Sequence, residues 1–303
     1  MLKKITIFAQ TNLNNYMKKS LILAALLIGA GSAQAQLTSK KGEAYLPEAG
    51  DWSFGVDATP FLTYMGGFLS GGGAAAPTQN FLNANQTIVG KYFKTDKMAY
   101  RGILRIGINS TKEVANSDQT GAAAPTFPNL TATVEDTYKE KSTNISLGGG
   151  LEWRRGSTRL QGYYGGDAMI SFANAGRSYT YGNALSTTTP VDYEDFGTNI
   201  VGGGRITEQK DGSMFAFTLR GFAGVEYFVL PKISIAGEFG WGLTIASMGA
   251  MSTTQELVGA DATGAPVIGT QTIETPKGGN FSLDTDRNLT GTSSGAIRLN
   301  FHF

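Results

Sequence analysis

The chain has 303 residues, a formal net charge of +1 and no cysteine. The missing cysteine excludes disulfides, thiolate metal sites and a lipid anchor attached through cysteine. A net charge near zero is not the footprint of nucleic-acid binding, so we expect no nucleic-acid partner.

The first predicted element is a secretory signal peptide. Met17–Lys19 is basic, Leu21–Ala30 is an apolar run, and Ala33 and Ala35 place small residues before a cleavage point. The run is shorter than the roughly 20 residues of a spanning helix, although an N-terminal anchor helix is the alternative. Cleavage after Ala35 would remove four lysines and no acid, changing the formal charge from +1 to −3.

Eight later segments alternate apolar and polar residues with a period of two, which predicts strands with one apolar face. In 232–246, for example, Phe239 and Trp241 share a face, whereas Glu238 lies on the other. The segment 86–94 is ambiguous, because either of its faces could be the lipid-facing one. The predicted strands are 51–64, 86–94, 98–109, 143–154, 158–172, 214–228, 232–246 and 293–303.

The connections between these segments alternate between long and short. The short ones are 95–97, 155–157 and 229–231; the long ones lie near 65–85, 110–142, 173–213 and 247–292. Transmembrane β-barrels combine short periplasmic turns with long extracellular loops. We therefore predict an all-β fold: an eight-stranded antiparallel transmembrane β-barrel with four long extracellular loops and both termini in the periplasm.

The segment 197–209 could contribute further strands. We assign it to the third long loop, as an extension above the membrane, and ten spanning strands are the alternative.

The predicted organisation is a cleaved signal peptide at 1–35, a periplasmic segment at 36–50 and the barrel at 51–303. Translation starts at Met1 or Met17, and a soluble β-sandwich is the alternative to the barrel.

The last predicted strand carries Ile297, Leu299, Phe301 and Phe303 on one face. This pattern resembles the C-terminal assembly signal of outer-membrane proteins, and the plan resembles small barrels of the OmpA/OmpX type. The stretch Gly224–Ile235 is similar to a hairpin of outer-membrane β-barrel proteins of Bacteroidota. The resemblance implies a location in the cell outer membrane, in contact with its lipid, and the barrel assembly machinery as a partner during biogenesis. It implies no activity.

The polar faces of the strands carry five acidic and five basic residues. An eight-stranded barrel has room for little more than its own side chains, and buried charges there must be paired. We predict that Glu152 faces Arg159, that Arg220 lies diagonal to Glu238, and that Asp57 and Arg298 lie at similar heights. The network either plugs the barrel or forms an ion pathway, and we favour the plug. Its residues are Asp57, Arg101, Arg105, Glu152, Arg159, Asp167, Arg220, Glu226, Glu238 and Arg298.

Catalytic signatures are weak. His302 is the one histidine and lies one residue from the C-terminus, so a Ser-His-Asp triad elsewhere in the chain would need a second histidine that the sequence lacks. Asp284, Asp286 and Asn288 have the spacing of a calcium loop, but Leu289 replaces the required glycine. We expect no catalytic residues, no cofactor and no metal.

The leading hypothesis is a non-catalytic surface protein that binds a ligand or an outer-membrane partner through its loops, or stabilises the envelope. The alternatives are a narrow, porin-like pore, an accessory subunit of a secretion or uptake complex, and an envelope enzyme that uses carboxylates.

Overall fold

Twelve strands and one helix form the described part of this computed structural model, which comprises residues 37–39, 41–69, 76–81, 86–123, 131–198, 204–285 and 295–303. In chain order the elements are β1 (Trp52–Asp57), α1 (Thr59–Leu69), β2 (Ile88–Thr95), β3 (Met98–Asp118), β4 (Thr133–Arg155), β5 (Leu160–Thr180), β6 (Gly204–Lys210), β7 (Met214–Leu230), β8 (Ile233–Met248), β9 (Met251–Ala260), β10 (Pro266–Thr275), β11 (Gly278–Thr285) and β12 (Ala296–His302). Within these ranges no helix is long and apolar enough to cross a membrane.

Eight strands pair in a circuit that returns to its starting point. β1 pairs with β2, and antiparallel pairing continues through β3, β4, β5, β7 and β8 to β12, which pairs with β1. Each of the eight segments predicted from alternation overlaps one strand of this ring. The all-β antiparallel class and the ring of eight strands are therefore confirmed.

The other four strands extend one end of the ring. β6 pairs with the distal part of β5, β9 with β6, and β10 with β9. β11 pairs with the distal half of β8, whereas β12 pairs with its proximal half. The region 204–210 is thus an extension strand outside the ring, as we predicted for the third long connection.

The first predicted strand, 51–64, was too long. β1 ends at Asp57, and the helix α1 begins at Thr59, whose amide donates a 2.7 Å hydrogen bond to the Asp57 carboxylate. Pro60 lies in the first turn, where its missing N–H costs nothing. A capping acid followed by proline is a helix-start signal that outweighs the apolar alternation beyond Asp57.

Three connections predicted as loops contain strand segments, and one of them, 173–213, holds the end of β5 and all of β6. Strand β3 continues to Asp118 and β4 starts at Thr133, so most of 110–142 is a hairpin extension. The connection 247–292 holds β9, β10 and β11. These segments are rich in threonine and in small residues, a composition that is also common in loops. Threonine is also a strong strand former once a neighbouring strand supplies hydrogen bonds.

The three short connections are confirmed as tight turns. Between β4 and β5 the chain turns at Gly156, whose φ of +118° is open to glycine and costly for other residues. Between β7 and β8 the turn uses Lys232 at a φ of +65°. The predicted signal peptide with Ala33 and Ala35, and the loop residues Asp286, Asn288 and Leu289, lie outside the described residues.

Candidate functional site

The ring carries its charges inside and its apolar side chains outside. On β3, Arg101 and Arg105 are buried, whereas Leu104 and Ile106, on either side of Arg105, are 38% and 52% exposed. The same inversion recurs on β7, where Arg220 is buried and Leu219 is 50% exposed. The polar faces read from the sequence are thus the inner faces, and the interior is the candidate site.

One group of charges, the turn-side cluster, lies near the short turns and consists of Lys91, Glu152, Arg154 and Glu226. The Glu152 carboxylate lies 2.8 Å from Lys91 Nζ and 2.9 Å from Arg154 Nη1. Arg154 reaches on to Glu226 at 2.6 Å. Because all four side chains are at most 3% exposed, each charge is neutralised by protein rather than by water.

Glu226 is also held by three polar neighbours from β8 and β12. Asn300 donates to its Oε1 at 2.7 Å, Ser234 donates to the same oxygen, and His302 Nε2 lies 3.2 Å away. The single histidine is therefore a buried partner of a structural carboxylate. Its exposure of 4% removes it from any substrate in solution.

A second group, the central cluster, lies further from the turns and consists of Arg101, Asp167, Arg220, Glu238 and Arg298. Glu238 accepts hydrogen bonds from Arg101 at 2.9 and 3.2 Å and from Arg220 at 2.9 Å. Arg220 also donates to Asp167 at 3.0 Å. Arg101 joins the two clusters, because its Nη1 also lies 3.0 Å from Glu152.

Aromatic rings close the turn-side end of the interior. Phe93 and Phe228 are completely buried, and their ring centroids lie 5.8 and 5.2 Å from that of His302. The guanidinium of Arg154 faces both phenylalanine rings at 5.4 and 5.7 Å. Such cation–π contacts stabilise a desolvated cation that also has its carboxylate partners. The interior therefore resembles a packed polar core.

The far part of the interior is contacted by the chain that follows α1. Arg105 Nε donates to the Phe81 carbonyl at 2.6 Å, and Gln79 donates to the Asp57 carbonyl at 2.8 Å. Arg298 Nη1 lies 3.3 Å from Thr87 Oγ1. Gln79 and Phe81 were predicted to lie in an extracellular loop, but these contacts attach them to the Asp57 backbone and to the inward-facing Arg105.

Nine of the ten residues predicted for the network are buried in the interior, and Arg159 is not. Arg159 lies in the β4–β5 turn, donates to the Phe228 carbonyl at 3.0 Å and stacks on Tyr45 at 3.9 Å. Its predicted pairing with Glu152 is wrong, because Glu152 lies opposite Gly165. The turn occupies more residues than a symmetric hairpin and leaves Arg159 outside the strands.

The other predicted pairings hold. Arg220 contacts Glu238, and Asp57 lies opposite Arg298 across the seam between β1 and β12. Lys91 was not predicted as a member of the network, because it belongs to the ambiguous segment 86–94. Burial of Val89 and Phe93 places that face inside.

Arg154 and His302 were also missed. Both share a strand face with a predicted network residue, Glu152 and Arg298 respectively, so the period-two pattern was a signal for each.

The strand extensions form a second ordered region, which we call the cap. Its loop, 181–198, is pinned by the fully buried Asp136, which accepts hydrogen bonds from the amides of Gly182 at 2.7 Å and Glu194 at 2.8 Å. Arg205 connects the loop to β9 through Glu256 at 3.0 Å and faces the Tyr181 ring. Burial raises the pKa of Tyr181 above its ordinary value, although Arg205 opposes the shift.

Buried ion pairs hold the two clusters of the interior together, and ion pairs and hydrogen bonds hold the cap. In the part of the chain that the structure describes, no group of three or more histidine, aspartate and glutamate side chains could hold a metal ion. Neither a protein-family model nor a curated protein matches the chain. The function of the chain must therefore be inferred from its geometry.

Proposed function

We propose that the chain is an integral outer-membrane β-barrel without catalytic activity, whose eight-stranded ring spans the membrane and whose cap binds a ligand or partner at the cell surface. The observation that carries this proposal is the inverted ring, with paired charges inside and exposed apolar side chains outside. In water such an outer face would be a very large exposed apolar patch, which soluble proteins avoid. In lipid it is the expected face of a barrel.

The height of the apolar face fits a membrane. Across the β5–β7 pair it runs from Leu160, opposite Tyr227, to Phe172, opposite Phe215. The twelve steps between these two residues, at about 3.4 Å each and with strands tilted by roughly 40°, span about 30 Å along the membrane normal. This matches the hydrocarbon thickness of a typical bilayer, about 30 Å.

The turn-side edge of this face carries aromatic contacts. Tyr92 lies between Trp52 and Tyr100, with ring centroids 4.9 and 6.5 Å apart, and Trp153 stacks on Tyr164 at 6.0 Å. Aromatic girdles of this kind mark the membrane–water interfaces of transmembrane barrels. They support a periplasmic location for the short turns, with the cap on the cell surface.

The packed interior supports a plug rather than a pore. The charges of both clusters are buried and paired, so an ion would have to break several ion pairs in order to pass. The strands that leave the ring towards the cap are far longer than the 9–11 residues that a crossing needs. Binding at the cap is therefore the function that we favour.

Heat-modifiable gel migration of the outer-membrane fraction is the primary test. A closed barrel is expected to migrate differently before and after boiling, whereas a soluble periplasmic protein without such a shift would contradict the proposal. Planar-bilayer recordings are expected to show no steady conductance. Ion-selective single-channel steps would replace the plug with a pore.

Orientation can be tested with single cysteines, because the chain has none of its own. Ala262→Cys lies in the exposed β9–β10 turn, and Ser157→Cys lies in the exposed β4–β5 turn. A membrane-impermeant maleimide added to intact cells is expected to label the first variant and not the second. The reverse labelling would invert the proposed topology, and permeabilised cells provide the control for reactivity.

A further inference from the structure

The outer surface of the ring has a groove beside the turn that connects β6 to β7. β5 pairs with β7 up to the Ala173–Met214 pair, and then with β6 from the Gly176–Lys210 pair onwards. The intervening turn leaves a groove of about 520 Å³. We call it the basic groove, because its lining includes Lys139, Lys141 and Lys210.

The lysines of the basic groove point away from the interior. On β4 the residues of the same parity, Ile145 and Leu147, are 36% and 57% exposed, so Lys139 and Lys141 belong to the outer face. Lys112 of β3 lies directly opposite Lys139 and adds a fourth cation. Lys210 reaches the same face from β6, opposite Gly176.

Few acids offset these cations on the outer face. Glu208 lies 2.9 Å from Lys210, but the two side chains are 45% and 60% exposed, so solvent screens the pair. Arg177 also lines the groove, and its charge is matched by Glu140 at 3.4 Å and Asp211 at 3.3 Å. The four lysines therefore leave a net positive outer face.

The height of the basic groove above the apolar face indicates what it meets. The Phe172–Phe215 pair lies just below it, and its floor holds Asn174, whose amide donates to Ser213 at 2.9 Å. Lys141 lies four residues beyond Ile145, the partner of Phe172 at the edge of the apolar face. At about 3.4 Å per residue and roughly 40° of tilt, its Cα lies about 10 Å above that edge along the membrane normal. The headgroup layer occupies about 5–7 Å beyond the hydrocarbon core, so a lysine side chain can reach it from that height.

We propose that the basic groove binds the phosphate-bearing headgroup of an outer-leaflet lipid. This inference rests on the proposed membrane location. The lysines supply the charge, the polar floor accepts the headgroup, and the apolar side chains below contact the acyl chains. Lysine is a compact cation on a flexible stem, so it can reach down to a phosphate from its strand.

The test uses the full-length protein folded in detergent micelles and titrated with phosphatidic acid or phosphatidylcholine, with bound lipids counted by native mass spectrometry. The groove variant is Lys139→Gln/Lys141→Gln/Lys210→Gln. The matched control, Lys41→Gln/Lys97→Gln/Lys277→Gln, removes the same charge from exposed positions elsewhere. The wild type and the control are expected to prefer phosphatidic acid equally. The groove variant is expected to bind it on the order of tenfold more weakly.

Three outcomes would overturn the inference. The first is equal binding by the groove variant and the control, and the second is wild-type binding without preference for phosphatidic acid. In the third, inorganic phosphate displaces the lipid, which would indicate a free-anion site. If any of these occurs while the gel shift persists, the membrane proposal stands and only the groove fails. If the wild-type protein shows no gel shift, both fail.

Two further measurements keep the test decisive. Arginine at the three groove positions is expected to restore the preference, because charge is retained. If the glutamine variant fails to fold, the wild type is titrated at rising salt. From about 0.05 to about 0.5 M the screening length falls to a few Å, so the preference is expected to shrink. A preference independent of salt would contradict a site made by lysine charge.

Discussion

Glu238→Gln is expected to destabilise the ring strongly, because this carboxylate is the anionic centre of the central cluster. It accepts two hydrogen bonds from Arg101 and one from Arg220, and Arg298 lies 3.9 Å away. The residue is 4% exposed, so water cannot replace the lost charge. Removing one partner of a buried ion pair costs about 3–5 kcal/mol. Glutamine keeps one acceptor oxygen, which favours the lower end, about 3 kcal/mol.

The assay is urea unfolding in micelles, followed by the loss of the faster- or slower-migrating folded band on an unboiled gel. With a urea dependence of about 1–3 kcal/mol per M, the unfolding midpoint is expected to fall by roughly 1 M or more. Glu274→Gln on the exposed strand β10 is the matched control. Surface substitutions of that kind change stability by about 0.5 kcal/mol or less.

A midpoint for Glu238→Gln that equals the Glu274→Gln midpoint would refute the reasoning. It would mean that water or ions reach the central cluster and screen its three guanidinium groups. The plug would then be an open passage, and conductance would become the leading function.

Three further predictions concern the turn side of the ring, the cap, and the packing between β4 and β5. Burial opposes ionisation of Asp51, but its hydrogen bond from Lys232 prevails and lowers the pKa below the ordinary 3.8. Because the pKa of Asp51 is lower in the folded state, its ionised carboxylate stabilises the fold at pH above 3.8, and this stabilisation is lost as the pH falls through the folded-state pKa. Asp51→Asn is therefore expected to lower the melting midpoint near neutral pH and to have no effect in acid. A difference in melting midpoint between variant and wild type that persists at low pH would exclude this cause. Asp136→Ala removes the acceptor of two cap-loop amides, which costs roughly 1–3 kcal/mol for each amide. Hydrogen exchange in the cap loop is expected to become faster, while the gel shift of the ring stays unchanged. Unchanged hydrogen exchange would show that Asp136 does not hold the loop. Gly165→Ala would press a methyl group against a backbone carbonyl of β4, whereas the space beside Gly102 is open. Gly165→Ala is expected to lower the free energy of unfolding in urea by about 1–3 kcal/mol, and Gly102→Ala is expected to change it little. Equal losses in the two variants would contradict a close contact at Gly165.

The positions of the ring strands were predictable because period-two alternation is a local property. A strand with one apolar face shows it in its own sequence, as 232–246 does with Phe239 and Trp241. The short turns were equally readable, because length and turn residues decide them. The polar identity of the network residues followed from the same parity.

The sequence could not assign the pairing partners of the extension strands. The sequences of β9 and β10 have the composition of loops. They form strands because β9 pairs with the edge of β6 and β10 pairs with β9. Likewise, whether Val89 or Ile88 faces inward depends on the register with β1 and β3 and not on the segment alone. Such choices are made by hydrogen bonding between strands that are distant in the chain.

The strand class, the ring strands, the short turns and the residues that supply the inward charges can be read from local sequence alone. The tertiary structure decided which charges meet: it removed Arg159 from the network, brought in Lys91 and His302, and made Arg101 the link between the two clusters. Alternation fixes which face a side chain occupies, because it depends on the backbone of one strand. The neighbours across the interior come from strands far apart in the chain, so only closure of the ring defines them.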